Sequence, residues 1–109
     1  MNFVHSWNNL ARDIHQTAKD KGWWDEARND GEIIALMHSE LSEALEALRH
    51  GNKPDDHIPK FLGTEAEYAD VVIRIMDHAQ ARGWCVAEAI EAKLAYNKTR
   101  PHKHGGKKF

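Results

Sequence analysis

An all-α chain folded as a four-helix bundle is what the sequence predicts, and three observations carry that expectation. Four stretches place apolar residues at the three- and four-residue spacing of a buried helix face. Glycines and prolines interrupt the chain between those stretches and not within them. No segment alternates apolar and polar residues as a half-buried strand would.

The first helix is predicted from Val4 to Lys21, with Trp7, Leu10, Ala11, Ile14 and Ala18 on one face and Gly22 ending it. Trp23 to Gly31, which includes Asp25, Asn29 and Asp30, reads as a loop. The second helix is expected from Glu32 to His50, its apolar arc formed by Ile33, Met37, Leu41, Ala44, Leu45 and Leu48. Arg49 and His50 suit the negative end of its dipole, and Gly51 is placed as its C-terminal cap. Pro54 and Pro59 keep the following segment from being helical throughout. The third helix is predicted from Thr64 to Gly83, burying Tyr68, Val71, Val72, Ile75, Met76 and Ala79. The fourth, from Val86 to Lys98, presents Val86, Ala89, Ile90, Lys93, Leu94 and Asn97 at helical spacing before Pro101 stops it.

With 109 residues the chain is expected to form one domain over residues 1–100, followed by a basic polar tail at 101–109. An apolar content of 41% is too high for a disordered chain. The net charge of −2 gives no general basic field, which argues against binding nucleic-acid polymers. Cys85 is the only cysteine, which excludes an intramolecular disulfide and fits a cytoplasmic location. No apolar run approaches the roughly 20 residues that span a bilayer, and no signal peptide is expected. A small helical domain with long apolar faces often completes its core by self-association, so a homo-oligomer is expected.

The chemistry lies in two acidic motifs. Glu40 and Glu43 form E-x-x-E, and Glu67 and Asp70 form E-x-x-D. Residues three apart on a helix are neighbours, so each motif presents two carboxylates to one spot. On adjacent helices the pairs would crowd four like charges, which a hard divalent cation with oxygen ligands relieves. Glu40 falls at the edge of the apolar arc near Ile33 and Leu36, where a carboxylate needs a partner or a metal. Magnesium, or manganese, is the expected ion. E-x-x-H, H-E-x-x-H and Walker-type patterns are all absent, as is a recognisable nucleophile motif. Two residue-level alternatives stand beside this reading. Thr64 to Glu67 is also a T-x-x-E capping box, and Asp70 and Asp77 are both placed to pair with Arg74.

The stretches Leu36–Arg49 and Glu67–Asp77 resemble the MazG-like branch of the all-α nucleoside triphosphate pyrophosphohydrolases. The family pattern is E-x-x-E, a spacer, E-x-x-D and a downstream cluster of Lys, Asn and Arg, and the resemblance spans about Trp23 to Arg100. It implies magnesium-dependent hydrolysis of a nucleoside triphosphate to the monophosphate and pyrophosphate, by dimers or tetramers, in nucleotide-pool housecleaning. It implies that Glu40, Glu43, Glu67 and Asp70 are the metal-binding and catalytic residues. Lys93, Asn97, Lys98 and Arg100 occupy the place of the phosphate-binding cluster. Many members have a glutamate where this chain has Ser39, and Asp77 is an additional acid that could support the metal ligands. Trp23 and Trp24 are the candidates for stacking on the nucleobase. His38 reads as a surface residue, and Trp7 and Trp84 as packing. The rival readings are a non-catalytic helical bundle that binds a nucleotide or metal, and a protein-interaction module whose acids are surface charge.

Overall fold

The computed structural model describes residues 2–101 and contains four α-helices: α1 (Phe3–Asp20), α2 (Asp30–Arg49), α3 (Gly63–Arg82) and α4 (Val86–Lys98). Among the described residues there is no strand, only an isolated antiparallel bridge between Pro54 and Leu62. No described helix is long and apolar enough to cross a membrane. Apart from Pro101, the expected basic tail lies outside the described residues.

Local chemistry sets the helix ends. Asn2 Oδ1 accepts from the His5 N–H at 2.8 Å to start α1. Asn29 Oδ1 accepts from the Glu32 N–H at 3.2 Å, so α2 begins at Asp30, two residues before the sequence expectation. Gly31 therefore lies within its first turn rather than in the preceding loop. α2 ends at Arg49, one residue before the expectation, with His50 as its cap; Gly51, just beyond, takes φ +88°, and the Asn52 N–H turns back to the Ala47 carbonyl at 2.7 Å. Asn52 itself is left-handed at φ 49°, and its Oδ1 accepts from both the N–H and the hydroxyl of Thr64, at 3.1 and 2.9 Å. That side chain ties the end of α2 to the start of α3.

α2 and α3 run antiparallel, the low-numbered end of one against the high-numbered end of the other. Asp30 meets His78 and Arg82, Glu40 meets Arg74, and Ala47 lies against Gly63. A Cβ on Gly63 would stand 3.0 Å from that of Ala47, so glycine permits the close approach. α1 packs on α3, and α4 packs on α1.

The buried apolar residues are Ala11, Ile33, Ala44, Ala66, Met76, Ala79 and Ala87. Mostly alanine, they bring the backbones close without filling a large core, and no large side chain is fully buried among the described residues. The apolar arc expected for α2 splits in two. Ile33, Met37, Ala44 and Ala47 are buried or half-buried, whereas Ile34, Leu41, Leu45 and Leu48, one residue further along, are exposed. Tyr68 and Val72 of α3, expected in the core, are exposed as well.

Candidate metal centre and adjoining cleft

Glu40 on α2 and Glu67 and Asp70 on α3 each offer a carboxylate oxygen within 4.8 Å of the others. The antiparallel pairing causes this convergence, because it sets the middle of α2 against the first half of α3. Glu43, one turn beyond Glu40, is exposed and stands outside the trio, yet it lines the same open cleft as Glu67.

Glu67 is free for this site because it does not cap α3. The helix starts earlier, at Gly63, and Glu65 Oε1 accepts from the Leu62 N–H at 2.9 Å. The capping box anticipated from Thr64 to Glu67 is thus replaced by a reach from Glu65 to Leu62. Arg74 also departs from expectation: it takes neither Asp70 nor Asp77 but crosses to α2. Its Nε and Nη2 both donate to Glu40 Oε1, at 3.2 and 2.9 Å.

Crowding separates the three titrations. A hydrogen bond to Glu40, reinforced by burial and by the charges of Glu40, Asp70 and Glu43, pushes the Glu67 carboxyl up to about 7. That same hydrogen bond, with help from Arg74, holds Glu40 below its ordinary value. Burial, followed by the charge of Glu40, raises Asp70. The raised Glu67 favours the folded state fully below about 4.5 and loses that contribution as the pH rises through about 7. Glu40, being lowered, acts only below about 4.5 and in the opposite sense. Metal-free wild-type protein should therefore lose thermal stability between pH 5 and 7.5 relative to Glu67→Gln. Scanning calorimetry of both proteins checks this, and parallel pH slopes would show that Glu67 does not carry the proton.

Two clefts meet at the trio. One, of about 600 Å³, opens toward the α2–α3 loop and is lined by all four acids of the sequence-predicted quartet, with Asp55, His57, Ile58 and Ile73. Asp55 is shaped for that position by accepting from the N–H groups of His57 and Ile58, at 2.9 and 3.0 Å. The other, of about 410 Å³, lies between α1 and α3. Glu40, Asp70 and Arg74 stand at one part of its wall, Ile14, Ala18 and Ile73 give it an apolar surface, and Trp23 and Arg28 close it from the α1–α2 loop.

Behind the second cleft, Asp77 is a junction rather than an outer support of the acidic trio. Only 9% exposed, it accepts from His15 Nδ1 at 2.7 Å and from Trp24 Nε1 at 3.0 and 3.1 Å, with Arg28 Nη1 3.9 Å away. The Arg28 guanidinium lies 4.8 Å from the Trp24 ring centre and 5.7 Å from that of Trp23. A second junction fixes the same loop: His78 Nε2 and Arg82 Nε donate to Asp30 Oδ1, at 2.8 and 2.7 Å.

Of the two candidate stacking residues, Trp23 lines the α1–α3 cleft with more than half its surface open, while Trp24 is turned inward to Asp77. Lys93, Asn97, Lys98 and Arg100 are exposed on and just beyond α4, and none lines either cleft. Lys93 and Arg100 instead lie over the Tyr96 ring, at 5.3 and 5.9 Å. His38 is exposed, Trp7 packs against Phe3, and Trp84 sets its ring edge-on to buried His78. Sequence reasoning missed Arg74 as the partner of Glu40, though Glu67, Asp70 and Arg74 share one helix face by spacing alone. Nothing in the sequence pointed to Arg28 or to the junction at Asp77.

Fold and site together define an all-α protein with a carboxylate trio at the meeting of two clefts. No protein-family model, curated protein or solved structure matches the chain.

Proposed function

We propose that this chain is a magnesium-dependent nucleoside triphosphate pyrophosphohydrolase of MazG-like type, releasing a nucleoside monophosphate and pyrophosphate. One observation supports this above the others. Three carboxylate oxygens converge within 4.8 Å beside a cleft of about 410 Å³, in the size range of small-molecule sites. The order E-x-x-E, then E-x-x-D, on two antiparallel helices agrees with the resemblance read from the sequence.

The donor set fits a hard cation. It is oxygen-only, drawn from two helices, and at neutral pH its crowding already keeps Glu67 partly protonated. Glu40, Glu67 and Asp70 would hold the ion, with Glu43 at the margin. Magnesium or manganese bound there supplies charge neutralisation along the phosphates and polarises the bond that breaks. Glu67 must give up its proton to ligate, and Glu43, exposed in the adjoining cleft, is the carboxylate left to accept a proton from the attacking water. Trp23 offers its open ring to the nucleobase. Removal of unwanted nucleotides from the pool is the role that follows.

The test is product analysis across a panel of nucleoside triphosphates with magnesium. Monophosphate with equimolar pyrophosphate is the expected result. Diphosphate with orthophosphate would make it a phosphohydrolase that cleaves the terminal phosphate instead, and no turnover by folded protein would leave a non-catalytic bundle.

The active form is proposed to be a homo-oligomer. In an antiparallel pair, moving one residue along each helix turns both toward the same side. Leu41 and Leu45 of α2 therefore share a face with Tyr68 of α3, and Ile34, Leu48 and Val72 extend it. On α2 the spacing from Ile34 through His38, Leu41 and Leu45 to Leu48 alternates four and three residues, the period that seats a second helix. α1 covers the other side of α3, so the occupant proposed for this face is a second copy of the chain. Light scattering after gel filtration should give a dimer or larger for wild type. Leu45→Asp should weaken association by about a hundredfold or more. A monomeric wild type at high concentration would overturn the assignment.

A further inference from the structure

We infer that Arg28 and Arg74 are the phosphate-binding residues of the α1–α3 cleft, and that Arg74 reaches the phosphates by leaving Glu40 when a divalent cation takes that carboxylate. The inference rests on the metal-dependent reading above and assigns the cations that would serve it.

The first argument is charge. The wall of the cleft carries four acids, Asp13, Glu40, Asp70 and Asp77, against three bases, Lys21, Arg28 and Arg74. Its formal balance is therefore −1, and a bare polyphosphate is repelled from it. With Glu67 ionised to hold it, one divalent cation brings the balance to zero and a second to +2. Cation binding thus precedes phosphate binding or accompanies it.

The second argument is what the two guanidiniums leave unused. Arg74 spends two N–H groups on a single oxygen, Glu40 Oε1, rather than gripping both oxygens of the carboxylate. Three of its five donors remain for another acceptor. Glu40 is also one of the three carboxylates placed to hold a cation, so Arg74 stands as counter-ion where the cation would bind. Once displaced, its fork needs an anion, and the cleft it already lines is where a phosphate would lie.

Arg28 is a different case, held in place but not satisfied. Its side chain is only 16% exposed and lies against two tryptophan rings. Its nearest acid oxygen, Asp77 Oδ2, is 3.9 Å away, too far for a hydrogen bond, and that carboxylate already accepts from His15 and Trp24. Among the described residues its guanidinium makes no hydrogen bond. An oriented arginine with uncommitted donors on a cleft wall is a built receptor for a planar or tetrahedral anion.

The experiment titrates full-length protein by calorimetry with inorganic pyrophosphate at saturating magnesium, and separately with manganese alone. Arg28→Gln and Arg74→Gln are each expected to weaken pyrophosphate binding about tenfold or more. Manganese binding alone should be unchanged in Arg28→Gln and unchanged or tighter in Arg74→Gln, which has lost the competitor for Glu40. Arg74→Lys keeps a charge at that position and should compete for Glu40 while recovering only part of the pyrophosphate affinity. Pyrophosphate binding unaltered in both glutamine variants overturns the assignment. Weakened manganese binding in Arg74→Gln would make Arg74 a positioner of Glu40 and overturn the exchange. Failure of wild type to bind manganese at all would instead sink the metal-dependent reading, a result distinct from either.

Discussion

Glu40→Gln is expected to lower the proposed triphosphate hydrolysis by at least about 10²-fold while leaving the helices folded. The expectation follows from what an amide keeps and what it gives up. Glutamine can still accept from Arg74 through its oxygen, so the link between α2 and α3 persists. It cannot supply the negative charge that the proposed hard cation would need from Glu40. Removing that charge also takes away the repulsion that, after the hydrogen bond to Glu40 and burial, raises Glu67, whose carboxyl should shift back toward ordinary values. The variant should therefore be no less stable than wild type without metal, and should gain less stability when magnesium is added. Thermal shift with and without magnesium, beside product analysis, reads both halves. Loss of activity through unfolding would appear as a lowered midpoint without metal. Activity within a few-fold of wild type would show that the trio does not carry the reaction.

The sequence made the four helices legible because helix punctuation is local. Gly22, Gly51 and the Gly83–Trp84 boundary are where periodicity places them, and the bounds of α4 agree residue for residue. Expectation slipped where two local signals competed. At the start of α2, Gly31 reads as a breaker, but Asn29 outweighs it by capping from two residues earlier. At the start of α3, Thr64 to Glu67 fits a capping box, yet the loop closes through Lys53 and Asp55, setting the helix start one residue earlier and the cap on Glu65.

Among the candidate site residues, Glu40, Glu67 and Asp70 were legible because each lies at a fixed spacing on a helix whose partner follows in sequence. Their convergence needed only that α2 and α3 be antiparallel neighbours. Arg74 was visible as a cation near two acids of its own helix, Asp70 and Asp77, and only the crossing of the helices selects Glu40. Trp24 and Asp77 lie 53 residues apart. No periodicity links them, so the inward turn of one tryptophan and the outward turn of the other could not be read from Trp23-Trp24 alone. For α2, hydropathy reports that Leu41 and Leu45 are apolar but not which surface covers them. That is why one apolar arc in the sequence becomes one seam against α3 and another left open.

Asp77→Ala is expected to cost about 3 kcal/mol, the second large effect, because it strips one acceptor from several donors at once. His15 Nδ1 and Trp24 Nε1 both lose their partner, and Arg28 loses the nearest countercharge, in surroundings where water replaces them poorly. For a domain of this size that cost lowers the thermal midpoint by about 10–20 °C. Asp77→Asn should fall between the two, since its amide oxygen can still accept from Trp24 while its charge is gone. The loss should also be local. The loop from Lys21 to Asn29 is held on α3 through Trp24 and Arg28 at Asp77, and through Arg82, whose Nη2 donates to the Arg28 carbonyl at 2.9 Å. With the first tie removed, trypsin should cut after Lys21 or Arg28 well before it cuts within the helices, at temperatures where wild type resists. Because Trp23 and Arg28 belong to that loop, the same variant should weaken nucleotide binding without touching the acidic trio. Such a change would separate the residues that shape the cleft from those proposed to hold a cation. An unchanged midpoint together with an unchanged cleavage pattern would mean that the loop is held by the Asp30–His78–Arg82 junction alone, and that Asp77 has a role apart from anchoring it.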